Sequence, residues 1–290
     1  MRFFSKSAYE SRTKCPRRYY FGYHYKGGYE GRKPSRDLLI GGWTHVGLEF
    51  LLRTGDIEVA IENILLVVAE DEKKYSFYLE DDPIATLQWD EDRHLAEALV
   101  RGWHRLRYST FLTTYEIISI EEKIETFLQA DLVLVAKCDI VVREKETGLV
   151  YVWNWKTTNE TKDWGQKWNY DIQMWTEAMA VEDKLGLEVT GCLVEGLYKG
   201  VIREGSWATP LLWAWKMIGP DGRPLYSDTR KTGKGWYKFP TWKETFAPGE
   251  GLKMWIPAME TEILDPMFIR SPPIIKNNMV VEQWLRGIVK

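Results

Sequence analysis

The chain has 290 residues, 44% of them hydrophobic and 28% charged, with a net charge of −3. That composition fits an ordinary globular protein and excludes a disordered or fibrous one. No apolar run approaches the roughly 20 residues needed to span a bilayer, and Cys15, Cys138 and Cys192 are too few and too scattered for a disulfide framework or a zinc site.

Residues 1–36 concentrate positive charge, with ten Lys/Arg against Glu10 and Glu30. The run Arg17-Arg18-Tyr19-Tyr20-Phe21 interleaves guanidinium groups with aromatic rings. It suits phosphate contact with base stacking, or else forms a solvated basic face. The stretch has no uninterrupted apolar core and no small-residue cleavage site, so it does not read as a secretory signal. Thr44–Leu52 predicts a short helix. Asp56 is placed to cap a longer one carrying Ile57, Ile61, Ile64 and Leu65, and Asp90 a third with Leu95, Leu99, Trp103 and Leu106 as its stripe. His24, His94 and His104 read as surface or helix-face residues.

The pattern then changes. Ile117–Leu128, Leu132–Arg143 and Leu149–Lys156 are rich in Val, Ile, Leu and aromatic residues and predict three successive antiparallel strands. Helical spacing returns over Lys167–Lys184, with Ile172, Trp175 and Met179 on one stripe, and Glu188–Tyr198 predicts another strand. Residues 200–255, rich in Gly, Pro and Trp, suggest a twisted hairpin with long loops, and Asn277–Val289 a terminal helix. The expectation is an α/β core inside a helical surround. Residues 1–112 would form the helical N-terminal region, 113–200 the core, and 201–290 an extension packed on it.

The informative chemistry lies on the predicted strands. Asn154 and Lys156 are two residues apart, so their side chains share a face, and Asp139 on the neighbouring strand can point there too. Burying an acid, an amide and a lysine without pairing or a bound ion would cost several kcal/mol. The bland alternative is a half-exposed face with one Asp–Lys pair.

Five stretches, in order, give this chain a family likeness. Ser5-Lys6-Ser7 followed by Cys15-Pro16-Arg17-Arg18-Tyr19, Gly41-Gly42-Trp43-Thr44-His45, Asp139 after Ala136, Asn154-Trp155-Lys156-Thr157, and Gln173 resemble the motifs of the RecB-type branch of the PD-(D/E)XK nucleases. The likeness covers roughly residues 3–200. Ala136 stands where that pattern has Gly, Asn154 where it has Asp, and Glu177 where it has Tyr.

The resemblance implies a restriction-endonuclease-like core, a mixed sheet flanked by helices, and metal-dependent hydrolysis of DNA at single strands or ends. Hard oxygen ligands would hold Mg²⁺ or Mn²⁺ with positions left open for water and phosphate. By this likeness His45, Asp139, residue 154 and the Trp155 backbone carbonyl are metal ligands. Lys156 orients water or stabilises the pentavalent phosphorus, and Gln173 completes the catalytic set. Glu121 resembles a further acidic residue of the branch; read on its own it is an exposed strand carboxylate beside Glu122. The imidazole would shift preference towards Mn²⁺.

Some relatives hold an iron–sulfur cluster on four cysteines; here only Cys15 falls in a matching place, so no cluster is expected. A bacterial or phage-infected cytoplasm and a helicase or recombination partner are implied by the same likeness. Trp153 and Trp155, alternating with the site residues, are expected in the core, whereas Trp164 and Trp168 are expected to stack on an unpaired base.

Asn154 contributes no charge, so divalent affinity should fall. Either this copy carries an isosteric change that traps substrate, or the protein is naturally impaired and serves as a DNA-binding pseudonuclease in a repair or recombination complex. The intact His45 and Lys156 favour the first. A carbohydrate-active protein, suggested by the tryptophans and paired carboxylates, would make both of those residues dispensable.

Overall fold

Arg2–Phe4 forms a short strand, β1, followed by helices α1 (Lys6–Lys14), capped by the Ser5 hydroxyl, and α2 (Pro16–Tyr19). This computed structural model describes residues 2–20, 22, 35–76, 83–129, 132–159, 163–169, 171–199, 201–204, 207–210, 215–218, 254–257 and 268–275. Helix α3 (Arg36–Thr54) starts well before the predicted Thr44, on a Ser35 cap. Gly41 and Gly42 hide its first half from a propensity reading, since each glycine weakens a helix by about 1 kcal/mol. Tertiary packing overrides that. A Cβ on Gly47 would lie 2.5 Å from Ile64 Cδ1 and 2.8 Å from Val100 Cγ2, so the bare backbone lets two neighbouring helices close on α3.

Those neighbours are α4 (Ile57–Tyr75) and α5 (Pro83–Trp103). Asp56 caps α4 as expected, accepting from the Glu58 N–H at 2.8 Å. Asp90 does not cap α5: it sits inside a helix that begins at Pro83, and its carboxylate accepts from Arg93 at 2.7 Å. A turn of π-helix (His104–Tyr108) and α6 (Ser109–Thr114) lead into the sheet.

Strands β2 (Tyr115–Gln129), β3 (Leu132–Glu144) and β4 (Val150–Thr158) form the antiparallel run read from the sequence, with every boundary within two residues of the predicted one. The predicted Lys167–Lys184 helix is two pieces, α7 (Trp164–Lys167) and α8 (Ile172–Leu185), because Asp171 caps a fresh start at the Gln173 N–H. Its buried stripe is Met174, Trp175, Ala178 and Val181, so Ile172 and Met179 lie at its margin. Strand β5 (Val189–Tyr198) pairs in parallel with β4. Beyond it come the antiparallel pairs β6 (Val201–Glu204) with β7 (Trp207–Pro210) and β8 (Trp215–Ile218) with β9 (Met254–Pro257), then β10 (Phe268–Arg270) and β11 (Ile274–Ile275), both antiparallel to β5. The expected helix over Asn277–Val289 lies outside the described residues.

The result is a mixed sheet with helices on both faces. Trp153, Trp155, Ile140 and Leu197 point towards α3, α4 and α5, whereas Val152, Val194 and Cys192 point towards α8. Cys138 is also buried on the α8 side, and Cys15 is exposed. No helix among the described residues is long and apolar enough to cross a membrane.

One topological detail positions everything that follows. Strand β3 carries β2 along one edge, but its other edge is shared. Parallel β1 takes Leu132–Leu134, and antiparallel β4 takes Ile140–Arg143. Between Leu134 and Ile140 that edge has neither neighbour, and β4 diverges from β3 after the Ile140↔Trp153 pair.

Candidate active site

Asp139 stands at this fork. Its Oδ2 accepts from the Trp155 backbone N–H at 2.7 Å, replacing the ladder bond that the diverging strands no longer make. A buried N–H without a partner would be costly, so the carboxylate is structurally anchored where its second oxygen can still act. Oδ1 faces His45 Nδ1 at 3.4 Å. His45 comes from α3, and its Nε2 lies 3.1 Å from the Trp155 carbonyl oxygen. That oxygen can only accept, so Nε2 carries a proton, and Nδ1 faces carboxylate oxygens of both Asp139 and Glu121 at 3.4 Å.

Glu121 reaches the same point by an unusual route. It lies on β2 opposite Asp139, between the pairs Ile120↔Ile140 and Glu122↔Cys138, with φ of 52°. The left-handed region costs a non-glycine residue roughly 1–2 kcal/mol, and among the described residues only Asp163 shares it without being glycine. The strained backbone turns the carboxylate inwards, where it pairs with Lys137 and His45. One ligand atom each of His45, Glu121 and Asp139 lie within 4.8 Å of one another.

The electrostatics follow from this convergence. Burial alone would lower the His45 pKa, but the Asp139 carboxylate, its hydrogen bond and that of Glu121 lift it to about 10. Burial works to raise the Asp139 pKa, yet His45, Lys156 and the Trp155 N–H hold it below the usual carboxylate range. An imidazolium thus balances two carboxylates where a cation would sit. The donor set fits a divalent ion: two carboxylates, an imidazole and the adjacent Trp155 carbonyl are hard or borderline ligands of the kind that hold Mg²⁺ or Mn²⁺.

Towards α8, Asn154 is fully buried. Its Nδ2 donates to Glu177 Oε2 at 2.7 Å, and Gln173 Nε2 donates both to Glu177 Oε1 at 2.7 Å and to Asn154 Oδ1 at 3.2 Å. Lys156 Nζ donates to Gln173 Oε1 at 3.3 Å. Burial pushes Glu177 up to about 7; Lys156 pulls it down and Asp139 pushes it further up.

A cleft of about 610 Å³ opens beside the site, lined by His45 and Lys156 and by Gly41, Thr157, Asn159 and Lys199. Lys199, nearly buried, pairs with Asp37 at 2.8 Å. A Cβ on Gly41 would come within 3.3 Å of Thr157 Oγ1, so this glycine keeps the cleft wall thin.

The structure therefore brings His45, Glu121, Asp139, Asn154, Lys156, Gln173 and the Trp155 backbone to one region. It does not support the stacking expected of Trp164 and Trp168. Both are buried in the core on the α8 side, their rings in edge contact at 5.1 Å, and Trp164 Nε1 donates to the Val194 carbonyl. Their polar flanks suggested exposure, but β5 provides a docking groove at Gly196, where a Cβ would lie 2.7 Å from the Trp164 ring. Arg17 is exposed and Tyr20 is 53% exposed, with Tyr19 partly covered, on α2 beside the α1 helix that packs against α8. Sequence reasoning missed Lys199 and the coupling of Glu177 to Asn154. The available signal for the first was its place directly after the predicted strand Glu188–Tyr198, whose Leu197 and Tyr198 pair with Thr157 and Thr158.

A family model described as the PD-(D/E)XK nuclease superfamily matches residues 4–204. No curated protein matches the chain.

Proposed function

The chain belongs to the PD-(D/E)XK nuclease superfamily, and on that premise we propose that it is a metal-dependent deoxyribonuclease of the RecB-type branch acting on single strands or ends. The observation that carries the metal-dependent chemistry is the meeting of His45, Glu121 and Asp139 within 4.8 Å, beside Lys156 and an open cleft. The preference for DNA strands or ends rests on the motif likeness.

His45, Glu121, Asp139 and the Trp155 carbonyl would hold the ion, joined on the motif likeness by the Asn154 amide oxygen. When bound it would supply Lewis acidity towards the phosphate and a more acidic attacking water. Asp139 is fixed by the Trp155 N–H, so it keeps its free oxygen in place without reorganising. Lys156, tethered by Gln173, presents an ammonium at the cleft to the phosphoryl oxygens as charge grows on them. Lys199 and the Thr157–Asn159 segment border the same cleft and suit the neighbouring phosphates of a nucleic-acid chain. Arg17 and Arg18 would add phosphate contacts further along, and a helicase or recombination partner fits the branch.

The amide at 154 favours a second reading, in which the charge lost there leaves a DNA-binding pseudonuclease. Cleavage of end-labelled single- and double-stranded DNA, with Mn²⁺ or Mg²⁺ and with chelator, separates the two. The nuclease reading expects metal-dependent products that shorten from an end. Binding without cleavage in either metal, in the native chain and in Asn154→Asp alike, would leave the pseudonuclease.

A further inference from the structure

Glu177 is a buried acid with no place in the mechanism above. It is 2% exposed, on the face of α8 that otherwise packs Met174, Trp175, Ala178 and Val181 against the sheet. An apolar residue would suit that face better, because a buried carboxylate loses its hydration and recovers it only through hydrogen bonds. Its two partners, Asn154 Nδ2 and Gln173 Nε2, each donate to it at 2.7 Å, but they are neutral amides that call for an acceptor and not for a charge. Asn154 and Gln173 also bond to each other at 3.2 Å, and Gln173 also holds Lys156. What the acid brings is negative charge, set directly behind the one position of the site that lacks it.

We propose that Asn154 and Glu177 together do the work of a single carboxylate on β4, the amide oxygen providing the ligand and the helix carboxylate the charge. This rests on the metal-site reading given above. The geometry supports the division of labour. Lys156 can only donate, so Gln173 turns Oε1 to it and Nε2 to Asn154 Oδ1, which leaves Asn154 Nδ2 to donate to Glu177 at 2.7 Å. An acceptor behind a ligand raises the basicity of the ligating atom, and loss of such an outer partner typically weakens metal affinity about 10–100-fold. Glu177 is thus a positioning residue that acts through Asn154, and position 154 is adapted rather than damaged.

The test is Mn²⁺ affinity, by calorimetry and by the loss of the free-ion paramagnetic resonance signal, on the whole chain and three variants, each with its metal-free melting temperature. Glu177→Gln should bind Mn²⁺ about 10–100-fold more weakly, while its metal-free melting temperature holds or rises, because a buried charge has gone. A merely structural role would lower the melting temperature and spare affinity. The exchanged pair Asn154→Asp/Glu177→Gln should recover affinity to within about threefold, well inside the loss expected for the single change.

Asn154→Asp alone should lower the metal-free melting temperature, since two carboxylates would meet where one hydrogen bond now stands. Equal affinity in the native chain and Glu177→Gln would overturn the pairing and leave the nuclease reading intact. So would a native chain that binds no Mn²⁺ beside an Asn154→Asp variant that binds it well. Absence of binding in all four proteins would remove the metal-site reading itself, and the pairing with it.

Discussion

Strand β4 separates two buried acidic regions that differ in what surrounds them. On the face covered by α3, α4 and α5, Glu195 accepts from Trp103 Nε1 at 2.8 Å and Trp155 Nε1 at 3.1 Å, with the Arg107 guanidinium 4.0 Å away. Burial raises its pKa against those partners, but each one is a fixed group of the protein. At the fork and towards α8, Asp139 and Glu121 instead face the His45 imidazole and Glu177 faces two amides, beside a cleft that His45 and Lys156 line. Burial works to raise both Asp139 and Glu177, and Asp139 pushes Glu177 further up. Trp155 belongs to both regions, its indole to Glu195 and its backbone to Asp139 and His45. A carboxylate with saturated partners ties layers together; carboxylates gathered behind a cleft, around one imidazole, are placed to take a cation from outside.

That contrast can be broken most sharply at Glu195. Glu195→Ala leaves two indole N–H groups and a guanidinium without their acceptor, and we expect a loss of about 3–5 kcal/mol in urea unfolding, with metal affinity of the folded fraction retained. A loss below about 1 kcal/mol would place Glu195 among ordinary surface-like pairs and erase the distinction.

Lys156→Ala tests the opposite region. It should lower the rate of cleavage by about 10²–10³-fold, the usual loss when one group stabilising transition-state charge is removed. Metal binding and melting temperature should change little, because a protonated lysine ligates no ion. Parental turnover in this variant would take Lys156 out of the chemistry.

The proposed cation site gives the third expectation. Mn²⁺ at a hundred times its dissociation constant should stabilise the chain by about 2.7 kcal/mol. Asp139→Asn should abolish that gain, whereas Glu195→Ala should keep it. A metal-induced gain that survives in Asp139→Asn would locate the ion elsewhere.

Gly196, next to Glu195 but facing α7, sharpens the comparison by being pure packing. Gly196→Ala forces a Cβ to within 2.7 Å of the Trp164 ring, which should cost about 1–3 kcal/mol and leave the salt dependence of DNA binding unchanged. The smallest effect is expected at Arg17 and Arg18. Their joint change to Ala should flatten the logarithmic salt dependence of DNA binding by roughly one unit per lost phosphate contact; an unaltered slope would return them to the solvated face.

By itself the sequence determined the elements and the order of the chemistry along them. The stretches rich in Val, Ile, Leu and aromatic residues at Ile117–Leu128, Leu132–Arg143 and Leu149–Lys156, the Asp56 cap, and the alternation of Trp153 and Trp155 with Asn154 and Lys156 depend on residues close in the chain, where local geometry decides direction. The helix start at Ser35 did not follow, because packing at Gly47 outweighs glycine propensities of about 1 kcal/mol each; nor did the start at Pro83, where proline opens the helix as its first residue and Asp90 lies inside it.

Only the tertiary structure decided the rest. The fork between β3 and β4 exists because β1, from the far N-terminus, takes part of the same edge of β3. The inward turn of Glu121 is a backbone state that no side-chain pattern encodes. Read along the chain, Asn154 is a missing charge and Glu177 an unrelated departure; across the sheet they are 2.7 Å apart. Trp164 and Trp168 look exposed among polar neighbours, yet a groove at Gly196 buries them. Desolvation and pairing are set by what lies next to a group in space, and for these residues those neighbours come from other parts of the chain.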